Sequence, residues 1–372
     1  MLAIGVVMVA SASSSLDRPL LGPKMWATPM GRQVIFALAG VGLMLATAVA
    51  ARTLLERDFV RRTFPWILFI LAMGCLAVAL VPGVGDSRHG SQRWLRFAPG
   101  GIDIGFQPSE AAKPALVLLL AAILGGRQSN ARSFFRGFIP AAAVSGVCVA
   151  LVGKENFGTA ALLVAVAGAI MLVAGCRLHH LALLIGAGAF GLVALLFAAP
   201  YRLERLTAHQ DLWADPTGSG YQPIQSLVTI ATGGWLGTGL GSGMQKYGYL
   251  PESHSDFVFA IVCEEIGFLG GAMLVLLFCG FAWLGLRTML SASDPFERLL
   301  AFGLTALVSL QAIINISVVT VVAPTTGVPL PLVSAGGSGI FVMSVVVGLL
   351  AAVAARSSSL SSIMSVGDGA PV

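Results

Sequence analysis

Long apolar stretches alternate with short segments that hold most of the charge, and within the stretches there is no every-second-residue alternation of a half-buried strand. Inside a bilayer only α-helices and closed barrels satisfy their own backbone groups, and continuous apolar runs near the ~20 residues needed to cross it specify helices. The pattern predicts spans at 1–14, 33–51, 64–83, 109–125, 137–153, 157–175, 180–199, 257–286, 299–323 and 338–355. The expected fold is all-α, a polytopic membrane protein of about ten transmembrane helices. One transmembrane domain covers 1–356, with a large external loop at 200–256 between the seventh and eighth helices, and 357–372 form a short cytoplasmic tail. The first span gives only about 20 Å of helix against a core of roughly 30 Å. Either that helix is incomplete or the true start lies upstream of Met1; a cleaved signal peptide would need a basic n-region, which does not precede it.

Composition sharpens this. The chain is 56% hydrophobic and 10% charged, against roughly 25% charged in soluble domains. A net charge of +5 is spread over short loops rather than gathered in a patch, which excludes a nucleic-acid partner. An even number of spans puts both termini on one side. With the N-terminus inside, the cytoplasmic connections carry Arg52, Arg57, Arg61, Arg62, Arg127, Arg132, Arg136, Arg177, Arg287 and Arg298, with Arg356 on the tail. The cytoplasmic (inner) membrane is the expected location, with the 200–256 loop outside. The five cysteines form no CxxC and lie in or beside apolar runs, so neither a disulfide framework nor a zinc site is expected.

Three segments are not plain spans or short turns. The 200–256 connection has no regular pattern of its own, as functional loops often do not. Around 84–108, the mix of Arg88, Arg93, Trp94, Arg96 and Phe97 suits a helix or re-entrant turn at headgroup level. Between the last two spans, APTTGVPLPLVSAGGSG (Ala323 to Gly339) is too long for a reverse turn, and helix-breaking residues at this depth are tolerated where they are buried in protein or line a watery cavity.

Ionisable residues in a membrane span are costly and mark function by default. Glu110 and Lys113 are three apart at the start of the fourth span, on one helical face, where they either anchor the helix end or line a cavity. Glu264 and Glu265 point about 100° apart, so at most one shares a cavity with Asp256 and the other packs against a neighbouring helix. Asp256 opens the eighth span after Pro251, Glu252, Ser253, His254 and Ser255. Helix capping is the plain explanation of an acid there, and catalysis is the alternative. GGWLGTGLGSGMQK (Gly233 to Lys246) lacks both GxxxxGK[ST] and GxGxxG, so it is no nucleotide loop, although its glycines let backbone approach a ligand next to Lys246. HExxH, GxSxG and SxxK are also missing, which argues against zinc-protease, serine-hydrolase and acyl-enzyme chemistry.

In combination these motifs resemble the SEDS family (shape, elongation, division and sporulation; FtsW/RodA/SpoVE-like). The resemblance runs in order through VMVASAS (Val7 to Ser13), FQPSEAAK (Phe106 to Lys113), FGTA (Phe157 to Ala160), the block from Tyr221 to Gly271 containing YLPESHSDF, and TGVPLPLVSAGGSG (Thr326 to Gly339). GLGSGMQK followed by YLPE is more similar to the division and sporulation branch than to the elongation branch. Two elements depart from the family pattern: an EPDFGT-like element reads KENFGT, with Lys154, Glu155 and Asn156, and SYGGSS reads SAGGSG, with Ala335 and Gly339.

The resemblance implies a peptidoglycan glycosyltransferase that polymerises lipid II, an undecaprenyl-diphosphate-linked disaccharide pentapeptide, at the outer face of the membrane for cell division or cell shape. It makes Asp256, the acid of the H-x-D-F element, the catalytic acid, and gives Glu110 and Lys113 functional weight. In such a reaction Asp256 takes the proton of an attacking sugar hydroxyl, and cations meet the charge on the departing diphosphate. Lys113, oriented by Glu110, is the first expectation for that cation, with Arg93, Arg96 and Lys246 behind it. Glu252, His254 and Ser334 complete the expected substrate contacts. No cofactor is expected beyond a candidate divalent cation, Mg or Mn. A class B penicillin-binding protein transpeptidase and other divisome or elongasome membrane proteins are the implied partners. A lipid-linked precursor flippase and a scaffold for another synthase are the alternative readings.

Overall fold

A computed structural model describes residues 1–12, 28–81, 86–88, 91–97, 104–126, 131–197 and 209–367. Its helices are α1 (Leu2–Ala12), α2 (Pro29–Leu54), α3 (Asp58–Arg62), α4 (Phe64–Ala79), α5 (Pro108–Gly125), α6 (Ile139–Glu155), α7 (Phe157–Val173), α8 (Leu178–Phe197), α9 (Tyr221–Gly233), α10 (Val258–Ser291), α11 (Pro295–Val319) and α12 (Gly337–Gly367). A helix lies on every segment that the hydropathy marks. Among the described residues six helical stretches, one of them Phe134–Lys154, are long and apolar enough to cross a membrane, and four shorter apolar stretches are Leu2–Ala12, Phe64–Ala79, Phe157–Val173 and Leu178–Gly191. Local chemistry sets several starts. Proline opens α2, α4, α5, α6 and α11, where its missing N–H is not needed. Asn156 caps α7 by accepting from Thr159 N, and Asp294 caps α11 by accepting from Phe296 N and Glu297 N.

The central helix is α5, buried along most of its length, with α4, α7 and α11 packed around it. Apolar side chains on α2, α4, α8 and α10 face outward, as lipid-facing surface does. Lipid is as apolar as these side chains, so helix association rests on close packing and interhelical hydrogen bonds. Gly348 on α12 lets α2 come within contact of its backbone at Met44 O. The short α1 is held the same way: a side chain on Gly5 would collide with Val333 O in the segment between α11 and α12.

One end of the bundle is tied by ions. Arg61 bonds Asp294 at 2.7 Å and Glu297 at 2.9 Å, and Arg356 bonds Glu297 at 3.0 Å and Glu56 at 2.7 Å. The α2–α4 connection, the start of α11 and the far part of α12 therefore meet at one end. Ser11, Lys246, Asp256 and the 326–336 segment gather at the other.

The 84–108 region corrects its expectation. It is neither helix nor re-entrant turn; its described part is a three-stranded antiparallel sheet, β1 (Asp86–Arg88), β2 (Ser91–Phe97) and β3 (Ile104–Phe106), in the order β1-β2-β3. Strand pairing satisfies the backbone groups of a segment too polar to enter lipid, and Gly105 leaves room for the Trp94 ring on the neighbouring strand. The 200–256 connection is likewise more ordered than expected, containing α9 and a 3₁₀ turn at Gln245–Tyr247. The chain is thus a helical membrane protein with one small sheet.

The long helix α10 is broken at Gly267, whose φ of 79° and ψ of −173° lie outside the helical region and are open only to glycine. A break at membrane depth frees backbone groups that must find partners. The chain leaving α9 supplies them: Thr238 N and Gly239 N donate to Glu264 O and Glu265 O at 2.9 and 3.0 Å, and Phe268 N donates to Gly234 O at 2.8 Å. Such backbone-to-backbone approach requires residues without side chains at Gly233, Gly237 and Gly267. The glycine-rich run is thus a splice for a broken helix.

Candidate active site

The Gly-rich loop settles where Lys246, Glu264 and Glu265 go. The Lys246 ammonium donates to Ser11 Oγ at 3.0 Å, Gly241 O at 2.8 Å and Glu265 Oε1 at 3.0 Å. Both side chains of the Lys246–Glu265 pair are fully buried. Glu265 also accepts from Ser11 Oγ and Gly241 N, and Glu264 accepts from Met244 N at 2.8 Å. All three donors of Lys246 are engaged, so this geometry makes it a strut beneath the loop and does not support the expected phosphate contact. Both glutamates hold the loop.

Glu110 and Lys113 are brought together in the core. The lysine Nζ donates to Glu110 Oε1 at 2.9 Å and to Gln311 Oε1 at 2.8 Å, with Lys113 1% and Glu110 4% exposed. Gln311 on α11 in turn donates to Pro329 O at 2.9 Å. One turn along α11, Asn315 donates through Nδ2 to Asp256 O at 2.7 Å and to Val328 O at 2.8 Å. Neither amide was singled out from sequence. Two amides four apart in the largely apolar second half of the helix are the signal that could have found them.

Asp256 sits in the turn just before α10 and is partly exposed. Its backbone is clamped at three successive carbonyls, two by the 326–336 segment and one by α11: Ala335 N donates to His254 O at 2.9 Å, Ser334 Oγ to Ser255 O at 2.6 Å, and Asn315 to Asp256 O. Ser334 Oγ also accepts from Leu330 N at 2.8 Å. Thus Ser334, expected at the substrate, is buried as a tie between the two segments. Glu252 adopts a φ of 53° and its carboxylate receives Ser255 Oγ at 2.5 Å, which shapes the turn, while the His254 side chain is exposed beside it. The segment from Ala323 onward is irregular, as expected of Ala323 to Gly339, and it backs the acid directly. Arg93 and Arg96 lie on β2, with Arg96 opposite Gly105 shortly before α5 begins. Their side chains lie outside the described residues.

Buried polar atoms adjoin this segment. Glu110 Oε2, Asn315 Oδ1 and Thr326 Oγ1 have no hydrogen-bond partner among the described residues. Among those residues no group of three or more His, Cys, Asp or Glu is placed to hold a metal ion, and no step is derived through the candidate divalent cation.

Fold and site together define a helical membrane protein in which a buried acid–lysine pair and a clamped aspartate are both tied, through Gln311 and Asn315, to the irregular segment between α11 and α12. A family model described as "Cell cycle protein", covering FtsW, RodA and SpoVE, matches residues 1–359, and the chain belongs to that family. It is 38% identical to Stage V sporulation protein E of Bacillus subtilis (strain 168), over 94% of this chain and 93% of that one. It is 37% identical to a probable peptidoglycan glycosyltransferase FtsW of Geobacter sp. (strain M18), over 95% and 93%. Among solved structures, a chain of a peptidoglycan synthase complex that coordinates polymerization and crosslinking superposes with a TM-score of 0.71 at 28% identity, covering 95% of each. A mutant of the rod shape determining protein RodA of Thermus thermophilus superposes with a TM-score of 0.62 at 25% identity, covering 95% of this chain and 93% of that one.

Proposed function

We propose that this chain is a peptidoglycan glycosyltransferase that polymerises lipid II into glycan strands, with Asp256 as its general base. The observation that carries the assignment of the base is the three-point clamp on His254, Ser255 and Asp256, which fixes a partly exposed carboxylate at the edge of an otherwise apolar bundle. A base must be held within about 2.6–3.2 Å of the proton it takes, and a fixed backbone meets that need. The family and the named activity of its FtsW relatives support the substrate class.

In the reaction a sugar 4-hydroxyl attacks the anomeric carbon of a glycan carried on a polyprenyl diphosphate. Asp256 accepts the hydroxyl proton as the new bond forms, and the diphosphate leaves with the bonding pair. Lys113 supplies the positive charge that stabilises this departure, from a low-dielectric site where a charge acts strongly. Two of its three donors are occupied, and Glu110 orients it. Arg93 and Arg96, on the strand leading toward α5, are the further cations, and His254 flanks the acid.

The chain crosses the cytoplasmic membrane ten times, with the Asp256 end outside and the Arg61–Glu297–Arg356 end in the cytoplasm, as the arginine distribution of the short connections supports. Its physiological partner is a class B penicillin-binding protein within the division machinery, a reading supported by the synthase complex it resembles. Asp256→Asn, purified and supplied with lipid II in detergent, is expected to be folded and to make no glycan. Parent-like polymer from that variant would remove Asp256 from the mechanism. Polymer made by the parent chain in detergent, where there is no membrane to cross, separates this reading from a flippase.

A further inference from the structure

Two amides on α11 stand between the lysine and the acid. Gln311 and Asn315 are four residues apart, so one lies above the other on the same helical face, about 5.4 Å along the axis. Each is 1% exposed. Each divides its bonds in the same way, giving one to a group of the candidate site and one to the segment behind it. Gln311 accepts from Lys113 and donates to Pro329 O, whereas Asn315 donates to Asp256 O and to Val328 O. The two outer partners are consecutive carbonyls of one chain segment.

That arrangement exceeds what packing requires. The neighbours Ala312, Ile313, Ile314 and Ile316 are apolar, and leucine would fill the same space without an amide to desolvate. The amides are specific in their donors as well: Asn315 gives both Nδ2 hydrogens to carbonyl oxygens, which neither leucine nor an ionised aspartate can do. The Asp256 carbonyl adjoins its own Cα, so a bond there sets the direction in which the carboxylate leaves the chain.

We infer that Gln311 and Asn315 are positioning residues, holding the Lys113 ammonium and the Asp256 backbone in one register against Val328 and Pro329. The inference rests on the polymerase reading above. Base and cation then keep a constant spacing, and any movement of the 326–336 segment carries both. The consequence is kinetic, because misplacing a reacting group by 1 Å can cost about 100-fold in rate.

The test uses the full-length chain carrying Asn315→Leu or Gln311→Met, with Asp256→Asn alongside. Lipid II polymerisation gives kcat and KM per folded molecule, lipid II binding is measured directly, and thermal unfolding reports stability. Asn315→Leu is expected to lower kcat about 10- to 100-fold, with KM and lipid II affinity changed by less than about threefold. Gln311→Met, which keeps an unbranched chain of similar volume, is expected to show the same split and carries the test if Asn315→Leu does not fold. Parent-like kcat in the folded variants, or loss of affinity by the same factor as kcat, overturns the proposal. Failure of both to fold also overturns it, by giving the amides a structural role. Activity in Asp256→Asn would instead remove Asp256 as the base, and absence of polymer from the parent chain would bring down the polymerase reading itself, whereas an inactive Asp256→Asn beside a fully active Asn315→Leu removes only the positioning role.

Discussion

Lys246 and Glu265 form an ion pair at 3.0 Å with both side chains fully buried, and Ser11 from the first helix bonds to each of them. The pair joins α1, the glycine-rich loop and the helix broken at Gly267. Removing one partner strands a buried charge, so Lys246→Met is expected to destabilise the protein by about 3–5 kcal/mol. Lys246→Met combined with Glu265→Gln should recover much of that. Thermal unfolding in detergent measures both. A Lys246→Met protein with normal stability and selectively weakened lipid II binding would return Lys246 to the substrate site.

This pair also marks where the sequence stops being legible. Helices were readable because each is an apolar run of membrane length, and Asp256 was readable because an acid beside a span is costly anywhere. A lysine after a glycine run looks like an anion ligand, however, and nothing local shows that its partner is Glu265, across a break that the loop itself repairs. The sheet around Trp94 was hidden for a related reason. Its strands are three to seven residues long, and their pairing, Leu95 opposite Phe106, is a long-range choice that short-range periodicity does not display. Gln311 and Asn315 were legible in principle, as polar residues one turn apart in an apolar span, but their partners Pro329 and Val328 lie on another segment.

The Glu110–Lys113 pair separates stability from catalysis. Lys113→Met leaves the Glu110 charge buried and unpaired, which costs about 3–5 kcal/mol, and it also removes the cation from the reaction. The double variant Lys113→Met/Glu110→Gln balances the charge, so stability is expected to return substantially while polymerisation stays absent. Unfolding curves and a glycan gel on the same preparations decide. Parent-like polymer from the double variant would make the pair a strut only.

The helix break makes a graded prediction for two glycines of similar φ. At Gly267 a side chain would strike the backbone of Trp235 and Gly237, and the φ of 79° is itself unfavourable for alanine. Gly241 has a φ of 81° but open space around its Cβ position. Gly241→Ala should therefore cost only the backbone term, about 1–2 kcal/mol, and Gly267→Ala distinctly more, with a lower yield of folded protein. Equal losses at the two sites would contradict the splice described for α10.

Gly339 stands where the family pattern has serine, and its environment says what that serine would do. A Cβ added at Gly339 lies 3.7 Å from Glu110 Oε2, an ordinary contact, and that oxygen has no hydrogen-bond partner among the described residues. The hydroxyl of Gly339→Ser is within reach of the free oxygen, and a hydrogen bond to a buried carboxylate contributes about 1.5–3 kcal/mol when it replaces nothing. Serine also loses less conformational freedom than glycine in the first turn of α12, a smaller gain of about 0.5 kcal/mol. The substitution is therefore expected to raise the unfolding temperature, and because it engages only the oxygen that Lys113 does not use, to leave the 2.9 Å Lys113–Glu110 bond and polymerisation intact. Introduced into Lys113→Met, it should return part of the lost stability by partnering the stranded carboxylate. A lower unfolding temperature in the parent background would mean that Glu110 Oε2 is not presented to α12, and that the Glu110 carboxylate is oriented by something other than the lysine it bonds.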